Sequence, residues 1–146
     1  MHRHYELVIF TASLSKYAEP LVEILDPEHL CSFKLFREHC TFMNNAFVKD
    51  LTRLGRPMPS LLILDNSPIA YMLQPENAMP IVSWYDDPND RELPRTALIL
   101  EKMAYEDDMR KVIRRIIKDN AIDPKGEQLY MQSKQREHSQ KVQDRG

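Results

Sequence analysis

The stretch that most limits what this chain can become is Leu61 to Pro68, LLILDNSP. Four successive aliphatic residues show neither the alternation of a half-exposed strand nor the rhythm of an amphipathic helix. The run therefore reads as a strand covered on both faces. Asp65, Asn66, Ser67 and Pro68 then end it in a polar turn. In open α/β sheets ligands collect outside the carboxyl ends of such strands, which makes Asp65 and Asn66 a candidate ligand or metal site. Leu7 to Phe10 (LVIF) repeats the design and empties into Thr11, Ala12 and Ser13. Two strands delivering small polar groups at their ends suggest one shared site.

Between these strands the pattern changes to that of helices. Leu14, Tyr17, Ala18, Leu21, Ile24 and Leu25 recur at three- and four-residue steps, predicting a helix capped by Ser13 or Ser15, kinked or restarted at Pro20, and ended by Asp26-Pro27. Strands are expected near Phe33 to Phe36 and Cys40 to Phe42, with a turn at Asn44-Asn45 and a loop through Gly55-Arg56-Pro57 and Pro59. After Pro68 a helical turn around Ala70 to Leu73 is expected, broken by Gln74-Pro75-Glu76-Asn77. Met79 to Val82 reads as a strand whose Pro80 belongs at its start or on an edge. Asp86 to Asp90 is a loop and N-cap cluster before a helix carrying Leu93, Ala97, Leu100 and Met103. Asp107 or Asp108 caps a last helix striped by Met109, Val112, Ile113, Ile116 and Ile117. Its Arg110, Lys111, Arg114, Arg115 and Lys118 lie mostly off that stripe, as on a solvated face. Gln128 to Gly146 holds little to bury, so residues 121–146 are expected to form a polar, disordered tail behind a domain of residues 1–120. Strands alternating with helices make this an α/β fold with a mainly parallel sheet flanked by helices.

Composition narrows the function. Net charge is −2 with 29% charged residues, so bulk charge gives no attraction to nucleic acid. Three Gly against ten Pro argue against a glycine-rich phosphate loop, and neither a Walker nor a GxGxxG pattern occurs. Cys31 and Cys40 lack the paired spacing of zinc ligands and read as free thiols in a reducing compartment. No run approaches the ~18 apolar residues of a membrane span. A phosphoryl group needs hydroxyl and amide donors, a cation, and commonly Mg²⁺ held by carboxylate oxygens. Thr11 supplies the first, Lys49 could supply the second, and Asp65 with Asn66 could hold the metal. Each alone is commonplace: a Thr after a strand is usually a turn residue, and a single Lys usually a surface charge. His39 beside Cys40 suggests a base and nucleophile, but neighbours on a strand point to opposite faces.

The order of the motifs adds more. YELVIFTAS (Tyr5 to Ser13), KYAEP (Lys16 to Pro20), LFREHC (Leu35 to Cys40), VKDLTRLGR (Val48 to Arg56), LLILDNSP, QPENAMPI (Gln74 to Ile81) and SWYDDPNDREL (Ser83 to Leu93) closely resemble the small C-terminal-domain phosphatases and their Dullard-like relatives. These form the FCP/SCP branch of the haloacid dehalogenase (HAD) superfamily, and the resemblance runs from about Tyr5 to Asp119. It implies a HAD-like Rossmannoid fold and Mg²⁺-dependent hydrolysis of phosphoserine or phosphothreonine in proteins, the polymerase II tail being one substrate class. By similarity Thr11 hydrogen-bonds the phosphoryl oxygens, and Lys49 neutralises the phosphoryl group and nucleophile. Asp65 matches a metal ligand, with Asn66 binding the metal directly or through water, while Tyr17 and Arg37 match positions lining the substrate cleft.

One motif is missing. The family's Asp-x-Asp-x-Thr supplies the attacking carboxylate and the general acid-base, and no Asp-x-Asp occurs in this sequence. Asp86-Asp87 and Asp107-Asp108 are adjacent pairs in loop and cap contexts and cannot stand in. The expectation is an N-terminally truncated domain without its central nucleophile strand, with weak Mg²⁺ binding and no catalysis by this polypeptide alone. A pseudophosphatase that docks phosphopeptides through Thr11, Lys49 and Arg37 is the alternative. So is the mitochondrial inner-membrane translocase subunit that shares the fold, which QPENAMPI also suits. The expected partner is a phosphorylated protein in the nucleus or cytoplasm, without direct nucleic-acid contact or a membrane span. Oligomeric state is left open.

Overall fold

LLILD becomes a strand because its two faces meet two different apolar surfaces. The computed structural model describes residues 1–119, and the expected tail lies outside them. Six three-residue strands and three α-helices follow in the order β1 (Val8–Phe10), α1 (Ser15–Leu25), β2 (Phe33–Leu35), β3 (Thr41–Met43), β4 (Ala46–Val48), β5 (Ile63–Asp65), β6 (Ala78–Pro80), α2 (Glu92–Met103) and α3 (Met109–Lys118). β5 and β6 pair in parallel, Ile63 opposite Ala78 and Leu64 opposite Met79. Successive residues point to opposite faces. Leu62, Leu64 and Met79 therefore pack with Leu100, Met103, Met109, Val112 and Ile113 of α2 and α3, whereas Ile63 and Ala78 pack with Leu51 and Tyr71. Pro80 ends β6, which has β5 as its one paired neighbour among the described residues, so the missing N–H interrupts no ladder.

β1 and β2 form the second parallel pair, joined through α1, with Val8 opposite Phe33 and Phe10 opposite Leu35. β3 and β4 form an antiparallel hairpin. Its turn is the expected Asn44-Asn45, both residues in the left-handed region at φ 50° and 60°, where Asn is well tolerated and the turn matches strand twist. The return strand Ala46–Val48 was not anticipated by the sequence pattern, being too short to show alternation. The described sheet is thus three separate pairs, two of them parallel.

Several local expectations need correction. α1 runs through Pro20 without a break. A proline costs the helix one backbone bond, to the carbonyl four residues back, and the rest of the ladder carries the helix on. Leu14, not Ser13 or Ser15, occupies its N-cap and makes no side-chain cap bond. Ala18 and Val22 are the buried residues of α1, while Tyr17, Leu21, Ile24 and Leu25 are exposed: the apolar stripe was read correctly as a pattern but no described element covers it. Residues 70–73 form hydrogen-bonded turns, with the Gln74 N–H donating to the Tyr71 carbonyl at 3.1 Å, while Pro75–Asn77 forms a short 3₁₀ turn instead of merely a break. Asp90 accepts from the Glu92 N–H, but Arg91 occupies the cap position of α2. Asp108 caps α3, accepting from the Arg110 N–H at 3.0 Å.

Candidate functional site at the carboxyl ends of the strands

The backbone of β1 ends at Thr11, whose N–H donates to the Leu35 carbonyl at 2.9 Å and so continues the β1–β2 ladder past the last strand residue. The Thr11 hydroxyl oxygen accepts from the Ser13 N–H at 3.1 Å, a turn that faces the segment leading into α1. The chain leaving β2 bends over the same place. The Arg37 N–H donates to the Ser13 carbonyl at 3.1 Å, and its guanidinium Nε donates to the Ala12 carbonyl at 2.6 Å. The guanidinium also lies 4.7 Å from the centre of the Phe47 ring, so the β3–β4 hairpin and the Thr11 turn share one cation.

Lys49 follows β4 directly. Its N–H donates to the Ala70 carbonyl at 2.7 Å, which fixes the backbone beside the turn after β5. Its Nζ donates to Asp65 Oδ2 in an ion pair buried at both ends. The same ammonium sits 5.8 Å from the Phe10 ring, at the end of β1. Asp65 uses its other oxygen to accept from the Ser67 N–H at 2.8 Å, the Asx turn that Asp-Asn-Ser-Pro encodes. Asn66 points instead toward the segment that follows β6, its amide donating to the Ser83 hydroxyl at 2.6 Å.

Thr11, Arg37, Lys49, Asp65 and Asn66 therefore come to one end of the two parallel pairs, from segments up to 55 residues apart in sequence. Tyr17 is placed differently: it lies in the first turns of α1, largely exposed, with the Lys16 ammonium 4.8 Å from its ring. Cys40 is a group the sequence reading discounted. It lies in the loop before β3, and its thiol points at the Thr11 carbonyl at 4.0 Å and the Phe36 carbonyl at 3.8 Å. Burial pushes this thiol up, although Lys49 and Arg37 pull the other way, so it stays protonated. His39 faces elsewhere, its Nδ1 accepting from the Phe36 N–H at 2.9 Å. Both cysteines are free thiols, as expected. Ser83, the partner of Asn66, carried no signal in the sequence beyond its place after a strand.

The donor set for a metal is small. Asp65 gives one carboxylate, shared with Lys49 and Ser67, and Asn66 gives one amide oxygen. Among the described residues no group of three His, Cys, Asp or Glu side chains is positioned to hold an ion. Within the same residues no helix is long and apolar enough to cross a membrane.

A hydroxyl, two cations and a carboxylate gathered where parallel strands end define an α/β domain of the kind that handles anionic ligands at its strand ends. The chain belongs to the NLI interacting factor-like phosphatase family, whose model matches residues 1–110. It is 44% identical over 116 residues to the human CTD small phosphatase-like protein, covering 80% of this chain and 42% of that one. It is 47% identical over 109 residues to a probable C-terminal domain small phosphatase of Dictyostelium discoideum, covering 75% and 36%. A third relative is the human carboxy-terminal domain RNA polymerase II polypeptide A small phosphatase 1, at 46% over 110 residues, covering 75% and 42%. The chain thus spans about two fifths of the length of these relatives.

Proposed function

We propose that this chain carries the substrate side and part of the metal side of a protein phosphoserine/phosphothreonine phosphatase site, and that alone it binds a phosphorylated protein segment without turning it over. The supporting observation is the convergence of Thr11, Lys49 and Asp65 at one strand-end site. In this reading the Thr11 hydroxyl donates to a phosphoryl oxygen, while its oxygen keeps the bond it accepts from the Ser13 N–H. Lys49 neutralises phosphoryl charge, which requires its ammonium to be shared between Asp65 and the ligand. Arg37 and Tyr17 border the peptide that carries the phosphate. The name of one human relative, a carboxy-terminal domain RNA polymerase II polypeptide A small phosphatase, supports a protein substrate of that class.

Mg²⁺ would supply charge neutralisation at the phosphoryl oxygens, and Asp65 with Asn66 would be its ligands from this chain. One carboxylate whose charge Lys49 already balances supports only weak binding. The two parallel pairs are read as the outer parts of a single HAD-type sheet. No Asp-x-Asp occurs in the sequence to supply the attacking carboxylate, so no phosphoenzyme step is assigned to this chain.

The test is a pair of measurements on the purified chain with Mg²⁺. Titration calorimetry with a phosphoserine peptide and its unphosphorylated twin is expected to show phosphate-dependent binding that Thr11→Val and Arg37→Ala weaken. Equal affinity for the two peptides would overturn the reading. Hydrolysis of the peptide or of an aryl phosphate is expected to be absent, and turnover abolished by Asp65→Ala would place a nucleophile in this chain after all.

A further inference from the structure

The last helix carries a charge pattern that its packing does not use. Met109–Lys118 holds five of the chain's 20 Lys and Arg and none of its 22 Asp and Glu. At about 100° per residue, Arg110, Arg114, Lys118, Lys111 and Arg115 follow one another around an arc of about 140°, across the helix from the core-facing Met109, Val112 and Ile113. Lys111, Arg114, Arg115 and Lys118 are exposed. Neighbours offset little of this charge. Asp108 holds Arg110 at 2.8 Å, and Glu76 reaches Arg114 at 3.7 Å on an exposed surface. Asp119 follows the helix and caps it through its backbone N–H. Lys111, Arg115 and Lys118 make no hydrogen bond or ion pair among the described residues. A solvated helix face ordinarily interleaves the two signs at four-residue steps. Here Arg110 and Arg114, Lys111 and Arg115, and Arg114 and Lys118 set like charges at that step, where they repel. The helix dipole favours Arg115 and Lys118 in the last turn but works against Arg110 and Lys111 in the first. Helix stability therefore does not account for the arrangement.

We propose that this face of α3 is a docking site for a short acidic segment of another protein, bound as an extended chain with carboxylates at alternate residues. Arg110, Arg114 and Lys118 rise about 6 Å per step along the helix. Alternate side chains of an extended chain recur about every 6.6 Å on one side, so three carboxylates match this row, with Lys111 and Arg115 flanking it. Charge also limits the occupant's length. With five cations gathered on α3, the rest of the chain has an excess of carboxylates. Screening confines attraction to within about 8 Å, so a short segment meets only the basic face, whereas a long polyanion also meets the acidic remainder. Insertion into a membrane is closed to α3, whose apolar side packs with Met79, Leu100 and Met103. Residues 120–146 bring five Lys and Arg against four Asp and Glu, so this chain's own end does not supply the acidic segment. α3 lies beside Met58–Ser60 and Pro75–Asn77, the turns that lead into β5 and β6, and so toward the amino ends of those strands, away from Lys49 and Asp65. The proposal stands apart from the phosphatase reading.

The experiment follows the fluorescence anisotropy of labelled synthetic peptides titrated with the full chain. A peptide of alternating Asp and Ser is expected to bind saturably and more weakly as salt is raised. The same peptide with Asn in place of Asp is expected not to bind, and one of equal composition with its Asp residues in a single block to bind at least threefold more weakly. The double variant Lys111→Gln with Arg115→Gln changes two exposed positions to a residue that suits a helix. It is expected to keep its circular dichroism and to bind the alternating peptide at least tenfold more weakly, whereas Thr11→Val is expected to bind it as the parent does. No saturable binding, or equal binding of the Asn peptide, overturns the proposal. Unchanged affinity in the double variant, or loss of binding in Thr11→Val, takes the peptide off α3 and overturns it as well. Equal affinity of the block peptide overturns the alternating extended segment. Tighter binding of a single-stranded oligodeoxynucleotide of equal charge overturns the acidic protein as occupant.

Discussion

Lys49 and Asp65 form a buried ion pair that ties the end of β4 to the end of β5, with side-chain exposures of 10% and 6%. The pair is held from outside itself: Ser67 donates to the free carboxylate oxygen, and the Lys49 backbone is anchored on Ala70. Removing one charge leaves the other desolvated and uncompensated.

Lys49→Met and Asp65→Asn are each expected to lower unfolding free energy by about 3 kcal/mol, the usual scale for breaking a buried pair. Combining the two should cost less than the sum, because the second change removes the orphaned charge. Urea denaturation of the four species measures this, and strict additivity would mean the two groups are not coupled.

Asn77 is almost fully buried and its amide donates to two carbonyls, Met58 and Leu61, each at 2.8 Å. It thereby fastens the turn before β6 to the loop that feeds β5. Asn77→Ala is expected to cost about 2 kcal/mol by removing both amide bonds, although the Met58 carbonyl keeps the Leu61 N–H at 3.2 Å. Asn77→Asp should be at least as damaging, since a carboxylate brings no donor. Thermal unfolding of the two variants checks both.

Acid should loosen the last helix. Hydrogen bonds from Arg110 hold the Asp108 carboxyl down to about 2, from an ordinary value of 3.8. A carboxyl with a lowered folded pKa favours the folded state at higher pH, so its contribution is complete above about 4 and fades as pH falls through 2. Asp26 and Asp50 are shifted the same way, Asp26 by the Cys31 and Leu30 N–H groups and Asp50 mainly by the Thr52 hydroxyl. Tm is therefore expected to fall steadily from pH 4 to pH 2, and Asp108→Asn to flatten part of that slope. A Tm independent of pH over this window would contradict it.

The hairpin turn offers a backbone test. Asn45 sits at φ 60°, a conformation a β-branched residue strongly resists. Asn45→Val is expected to destabilise the protein by about 1 to 2 kcal/mol, whereas Asn45→Gly should change it by no more than about 0.5. Because Phe47 lies beside both Phe42 and Arg37, loosening the turn should also weaken phosphopeptide binding. Calorimetry on Asn45→Val reads the two effects together.

Local pattern determined much of this protein. The run Leu61 to Asp65 announced a strand buried on both faces, Asn44-Asn45 a tight turn, and Asp108 a capped helix with a single apolar stripe, because each depends on residues within one or two turns of chain. The absence of Asp-x-Asp is likewise a property of the sequence alone, and the ordered motifs carried the family. Tertiary structure decided what those pieces touch. Only there does Lys49 meet Asp65, Arg37 reach the Ala12 carbonyl, Cys40 turn its thiol to Thr11, and the stripe of α1 remain uncovered. The helix does not restart at Pro20, because one lost backbone bond is a local cost that the remaining ladder carries. Periodicity states which side of an element is apolar; which partner covers it depends on contacts between segments far apart in sequence.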